Sequence, residues 1–384
     1  MWSKNGIIFL VMAIVDEALS VGCRRNNSVV KCSDSNILSS KSANTNLGDL
    51  ATVKYFECYD NFRLTVDIRQ RVFEDFPNIE IIKITKTDAR RLVAGTFYNS
   101  PTLRQLYLPD NNISIIEPEA FGFLIVLTHL YLNKNALKNF DPYAISLGDK
   151  IEYFDLGHNR FEYIRESSLW NLKSLTYLNL DGNKLKEIRM NKIINNPNPV
   201  RVLWLSNNLF TRITREFFSG LFNIEVLNLA FNKIDSIVDA FLDLSKLKTL
   251  ILTHNNLARF TDFIIPYEGL NRLKYLAIDH NQIMYQDPYF LNRLPILEKI
   301  TIMGNPWYCN CLRDFREVVK RHFVQEKCDS DYIDTERPIC LSDHMSNNTC
   351  NVKYNSQAAH NFVNDDRKLE LDTDIIFCLI SEFS

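Results

Sequence analysis

The chain has 384 residues, of which 46% are apolar, with a formal net charge of −2 and a pI near 6.4. That balance excludes the bulk basicity on which nucleic-acid binding rests, and the single-sign runs are too short for a polybasic membrane patch. The length suits two ordinary domains or one elongated repeat array.

Residues 1–20 read as an export signal. Lys4 gives a positive start, Gly6–Val15 is an apolar run of ten, and Ala18-Leu19-Ser20 supplies small residues for cleavage. A run of ten falls well short of the roughly 20 residues that span a bilayer, and no second run of spanning length follows. A soluble, secreted, extracellular protein with no direct membrane span is expected. Nine cysteines agree with export, because disulfides endure outside the cell. Asn26, Asn112 and Asn347 head Asn-x-Ser/Thr triplets and are candidate glycan sites.

An N-terminal cysteine cap is expected over 21–52, most simply with Cys23 tied to Cys32. From Val53 the chain repeats itself. "LRQLYLPDNNI" at Leu103 recurs at Leu127, Ile151, Leu175, Val200, Ile224, Leu247, Leu273 and Leu297, at spacings of 24, 24, 24, 25, 24, 23, 26 and 24 residues. Two degenerate copies precede these, at Val53 with Asn61 in the asparagine slot and at Ile79 with Thr87 there. The pattern L-x-x-L-x-L-x-x-N-x-L, eleven times over 53–304, is identified as the leucine-rich repeat. The fold class expected is α/β: a leucine-rich repeat solenoid, a curved horseshoe with a parallel β-sheet on its concave face and disulfide-tied caps. Each L-x-L is a short strand whose alternation sends leucines inward and the intervening residues outward. The asparagines Asn111, Asn135, Asn159, Asn183, Asn208, Asn232, Asn255, Asn281 and Asn305 both donate and accept, so they can bond the backbones of neighbouring turns. Phe97, Phe121, Phe217, Phe241 and Phe290 suit an aromatic spine on the convex side.

After the repeats, "NPWYCNCLRDFREVVKRHFVQEKC" resembles the C-terminal flanking module of extracellular leucine-rich proteins, and a cysteine cap is expected over 305–353. Leu312, Phe315, Val318, Val319 and Phe323 form a helical stripe that can lie over the last repeat. The resemblance implies that Cys309 pairs with Cys328, and Cys311 with Cys340 or Cys350. A Cys-x-Cys can also open a zinc site, but its place behind an export signal argues for disulfides. Nine is odd. Cys58 sits at an inward strand position as a small buried residue, or else pairs with Cys23 or Cys32; Cys378 is the candidate for linkage to another chain. Residues 354–384 form a polar tail that turns apolar at "LELDTDIIFCLIS", an added cap strand or a docking segment.

The outward strand positions line the concave side, where repeat proteins usually bind. Tyr107, His129, Tyr131, Tyr153, Asp155, Tyr177 and Trp204 fall there on successive repeats and are the candidate partner-binding residues. Aromatic side chains dominate binding hot spots, although tyrosine also simply suits a sheet surface. No His-Glu-x-x-His, Gly-x-Ser-x-Gly or phosphate-cradling loop is present, so no catalytic residue, cofactor or enzyme activity is expected. His158, His254 and His280 each precede a ladder asparagine; the last two could share a metal, but solvated loop histidines suit the pattern better, and no metal site is expected.

The short degenerate opening "YFECYDNFRLTVDI…FPNIEIIKIT…LVAGTFYNSPTLRQLYLPDNNI" is similar to the leucine-rich immune proteins secreted into insect blood, especially in mosquitoes. Longer members add coiled coils, pair through disulfides and carry complement-like thioester proteins. This chain lacks the coil and resembles the coil-less type. The resemblance implies a role in innate immunity, with another leucine-rich repeat chain or a complement-like thioester protein as partner. Two other readings stay open: an extracellular receptor or cell-adhesion ectodomain, and a soluble regulator of an enzyme or ligand.

Overall fold

The computed structural model describes residues 23–33, 38, 47–59, 68–197, 199–259, 264–326, 340–341, 350 and 354–368. The export signal, Asn61, Cys328, Asn347 and Cys378 lie outside these. The chain divides into two compact units: residues up to Asn183 with Lys192–Pro197, and Lys184–Asn191 with residues 198 onward.

In the first unit, strands β1 (Cys23–Asn26) and β2 (Val29–Cys32) form an antiparallel hairpin. Then β3 (Tyr55–Tyr59), β4 (Ile81–Thr85), β5 (Gln105–Tyr107), β6 (His129–Tyr131), β7 (Tyr153–Asp155) and β8 (Tyr177–Asn179) add on in parallel. The second unit continues the pattern with β9 (Val202–Trp204), β10 (Val226–Asn228), β11 (Thr249–Ile251), β12 (Tyr275–Ala277), β13 (Lys299–Thr301) and β14 (Gln325–Glu326), all parallel. The register brings equivalent residues side by side: Leu106 beside Leu130, Leu130 beside Phe154, Phe154 beside Leu178, every one fully buried. One apolar residue per three-residue strand is enough, because each neighbour supplies the next wall of the core.

The ladder asparagines take the roles their amides allow. Asn159 Oδ1 accepts from the Leu137 backbone N–H (3.0 Å), and its Nδ2 donates to the Leu132 and Leu156 carbonyls (3.0 Å each). Asn135, Asn183, Asn232, Asn255 and Asn281 repeat this scheme. Thr87, in the degenerate copy, is fully buried and gives both its N–H and its hydroxyl to Asn111 Oδ1. A hydroxyl thus takes the place of the amide at this turn.

The aromatic spine is real but differs in membership. Phe73, Phe97 and Phe121 stack at 5.7 and 5.8 Å in the first unit. In the second unit Phe218, not Phe217, stacks on Phe241, while Phe217 meets Phe210 and Phe218 edge-on. Phe290 stacks on Phe315 of the cap.

At the ends, Cys23 bonds Cys32. The pairing implied by resemblance for Cys309 is corrected: Cys309 bonds Cys340, and Cys311 bonds Cys350. The isolated bridge between Tyr308 and Leu341 brings Cys340 beside Cys309, so the shorter span to Cys328 is not used. Cys58 is a buried thiol outside these bridges. Helix α1 (Cys309–Arg321) buries Leu312, Phe315 and Val319 over Trp307, whose indole donates to the Ile302 carbonyl (2.9 Å). Phe323 departs from the expected stripe: the helix ends at Arg321 with His322 as its cap, and Phe323 adopts φ 57° and is 91% exposed. Within the expected tail, Ser356–Lys368 is a helix, α2, that buries Ala359 and Phe362.

Candidate partner-binding face

The alternation of β5–β8 buries the middle residue and leaves both flanking side chains half-exposed on one face, Asp155 excepted. Because strands pair in register every 24 residues or so, equivalent positions stand one strand apart. Tyrosines at those positions are therefore forced ring to ring. Tyr107 stacks on Tyr131 (4.3 Å between centroids, 9° between planes), Tyr131 tilts against Tyr153 (4.8 Å), and Tyr153 stacks on Tyr177 (4.0 Å, 7°). His129 joins over Tyr153 at 5.7 Å. The column steps sideways at β7, where Asp155 replaces a tyrosine and Tyr153 takes over the stack.

Three of the ladder phenols are held neutral at any physiological pH. Burial, followed by the neighbouring Tyr107 and Tyr153, pushes the Tyr131 phenol well up; burial and the hydroxyl bond to Tyr177 do the same for Tyr153, and burial pushes Tyr177 up to about 12. Tyr107 donates its hydroxyl to Gln105 Oε1 (2.9 Å). The ring faces are largely spent on one another, so the face offers ring edges and phenolic oxygens.

Asp155 points to this face yet is only 8% exposed. Its Oδ1 accepts from the Gly157 N–H (2.9 Å), with Asn179 as a second hydrogen-bond partner. Burial, its largest influence, pushes the carboxyl above the ordinary aspartate range, and the charge of Asp181 adds to that. Gly157 makes room for the pair: a Cβ there would stand 2.8 Å from Asn179 Nδ2 and 3.1 Å from Asp155 Oδ1.

The remaining candidate, Trp204, sits on β9 in the second unit and half-exposed. There the outward column is unexpectedly covered. Ile251 and Ala277 are buried with Ala230, and Phe231, His254 and His280 stack at 4.3 and 4.2 Å beside them. Sequence periodicity alone does not show this, because the covering rings belong to the turn ahead of the ladder asparagine. His280 Nδ1 is bound to the buried Asp279 (2.9 Å); among the described residues no group of three or more His, Cys, Asp or Glu is placed to hold a metal. Asn26 and Asn112 are exposed, and Asn112 Nδ2 donates to Asp88 (2.7 Å). Among the described residues no helix is long and apolar enough to cross a membrane.

Parallel three-residue strands, asparagine ladders and a buried aromatic spine define a leucine-rich repeat protein. The family model "Leucine rich repeat" matches residues 77–137, 101–160, 125–185 and 198–257. Among curated relatives, osteomodulin of Bos taurus is 26% identical over 254 residues, which cover 59% of this chain and 58% of osteomodulin. Podocan of Mus musculus is 26% identical over 245 residues, 62% of this chain and 34% of podocan. The chain thus spans well under two thirds of these relatives. Among solved structures, a leucine-rich repeat protein of Leptospira interrogans superposes with a TM-score of 0.59 at 20% identity, covering 79% of this chain and 78% of that one. A chain of the LRIM1/APL1C complex gives 0.55 at 20% identity, covering 77% and 56%.

Proposed function

We propose that the chain is a secreted, glycosylated and non-enzymatic binding protein whose tyrosine ladder holds a protein partner, in insect innate immunity. The observation that carries the binding reading is the unbroken stack Tyr107–Tyr131–Tyr153–Tyr177. Four large rings are pre-ordered by mutual contact, so a partner that covers them loses little side-chain freedom in doing so. Export is supported by the end disulfides, which persist in an oxidising compartment. Asn26 and Asn112 are the glycan sites proposed on the described surface, with Asn347 beyond it. The immune assignment rests on the resemblance of the degenerate opening repeats. The fold likeness to a chain of the LRIM1/APL1C complex makes a second leucine-rich chain the first partner to try, and a complement-like thioester protein the next. Cys378 is the proposed link to such a chain.

Secreted protein run with and without reductant tests the covalent part. A reductant-sensitive dimer lost in Cys378→Ser supports it, and a monomer under both conditions removes it. For the ladder, Tyr131→Ser with Tyr153→Ser is expected to weaken capture of the partner by at least about tenfold while leaving the melting temperature within a few degrees. Unchanged capture by a folded double variant removes this face from the binding reading.

A further inference from the structure

The binding reading above leaves the chemistry of the partner open, and Asp155 narrows it. Its local structural task is to accept the backbone N–H two residues ahead. Two other repeats perform that task at the same strand position with a neutral side chain: Asn179 Oδ1 accepts from Asp181 N (2.9 Å), and Asn228 Oδ1 accepts from Ala230 N (3.0 Å). The turn therefore needs an oxygen and not a charge. At Asp155 a carboxyl stands under cover instead, and its ionised form is costly there unless something compensates it.

Nothing within the described residues does so with a permanent cation: no Lys or Arg pairs with Asp155. Of the eight side chains that β5–β8 send to this face, none is Lys or Arg, and Asp155 alone is an acid. On the strand before them, Lys83 is already held by Glu57 (3.3 Å). His158, close by, is engaged with a second carboxylate, Asp181 (3.0 Å). The groups facing Asp155 are thus Tyr131 from β6, Tyr153 from its own strand, Tyr177 and Asn179 from β8, and the His158–Asp181 pair from the following turns.

Resting on the ladder reading, we propose that Asp155, walled by Tyr131, Tyr153 and Tyr177, is the seat for an arginine or lysine side chain presented by a protein partner. The charge complementarity fixes the sign of the visitor. The ring edges and phenolic oxygens give its alkyl stem and N–H groups something to lie against, and the covered setting makes one carboxylate count for more than it would in open water. The raised carboxyl fits a group whose charge is left for a visitor to neutralise.

The probe is octa-arginine, titrated by calorimetry into the wild-type chain at low salt, with octa-citrulline as the neutral match. Octa-arginine is expected to bind and octa-citrulline to bind at least about tenfold more weakly. Asp155→Asn is expected to lose about tenfold in octa-arginine affinity with a melting temperature no lower than wild type, whereas Glu298→Gln, an exposed ion pair in the second unit, leaves the affinity unchanged. Three results overturn the proposal: no octa-arginine binding to wild type at millimolar concentration, equal binding of the two peptides, or an unaffected Asp155→Asn. The Tyr131→Ser, Tyr153→Ser double variant separates the two readings. If it loses the natural partner while Asp155→Asn keeps it, the ladder stands and the cationic seat falls; if both keep the partner, both fall.

Discussion

Asn159→Ala is expected to cost about 3–5 kcal/mol, lowering the denaturation midpoint of the repeat array and exposing β6 and β7 to hydrogen exchange. The amide of Asn159 serves four backbone groups: the Leu137 N–H and the carbonyls of Leu132, Leu156 and Gly157. All are buried, and alanine answers none of them. Leaving a buried donor or acceptor unmet costs about 1–3 kcal/mol each, and the sum falls short of four such penalties because carbonyls keep other partners and water can enter the turn. Asn159→Asp is a sharper variant. It retains the acceptor for Leu137 but loses the donors and adds a buried charge, so it should be at least as damaging at pH 7. Asn112→Ala supplies the control. That side chain is exposed and makes one bond, to Asp88, but its backbone is left-handed (φ 57°), so a loss of about 1 kcal/mol is expected. Equal losses at positions 112 and 159 would mean that the ladder is not what holds neighbouring turns together.

How much of this was readable in advance depends on how local each determinant is. The nine ladder asparagines announce themselves by spacing, because one residue type must recur wherever the same backbone groups need answering. The tyrosine stack was legible as a column, and ring contact follows from register. Asp155 was placed on the correct face, but its burial was not legible, since the covering rings come from strands 24 residues away on either side. In the second unit Ile251 and Ala277 stand at outward strand positions yet are buried; Phe231 packs against them from a turn that strand periodicity ignores, and His254 and His280 extend its ring stack. The cap disulfides escaped for another reason. Cys309 has several cysteines downstream at workable distances, and only the chain path at Leu341 selects Cys340. Phe323 fits a helical stripe as a letter, yet the helix ends at Arg321, two residues before it.

Asp279→Ala is expected to destabilise the second unit by about 3–5 kcal/mol at pH 7, with the gap to wild type narrowing in acid. Asp279 is 2% exposed and holds three groups together. It bonds His280 Nδ1 and the Thr253 hydroxyl at 2.9 Å each, and also accepts from the Thr301 hydroxyl. Removing it strands two threonine hydroxyls and an imidazole, and loosens the His280 ring that continues the stack from Phe231 through His254. Burial opposes the charge, but the bond and charge of His280, with the Thr301 hydroxyl, outweigh it and hold the carboxyl below the ordinary aspartate range. The sign of the pH dependence follows. A carboxyl depressed in the folded state contributes stability above its unfolded value near 3.9, and that contribution disappears as the pH falls through the lower folded value. Wild type should therefore converge on the alanine variant in strong acid, read as urea midpoints at pH 7, 4 and 2.5. A gap that stays constant across that range would show that Asp279 matters by shape alone. Asp279→Asn divides the two contributions further, since it keeps an oxygen for the threonines while giving up the carboxylate's charge, and about half the loss is expected.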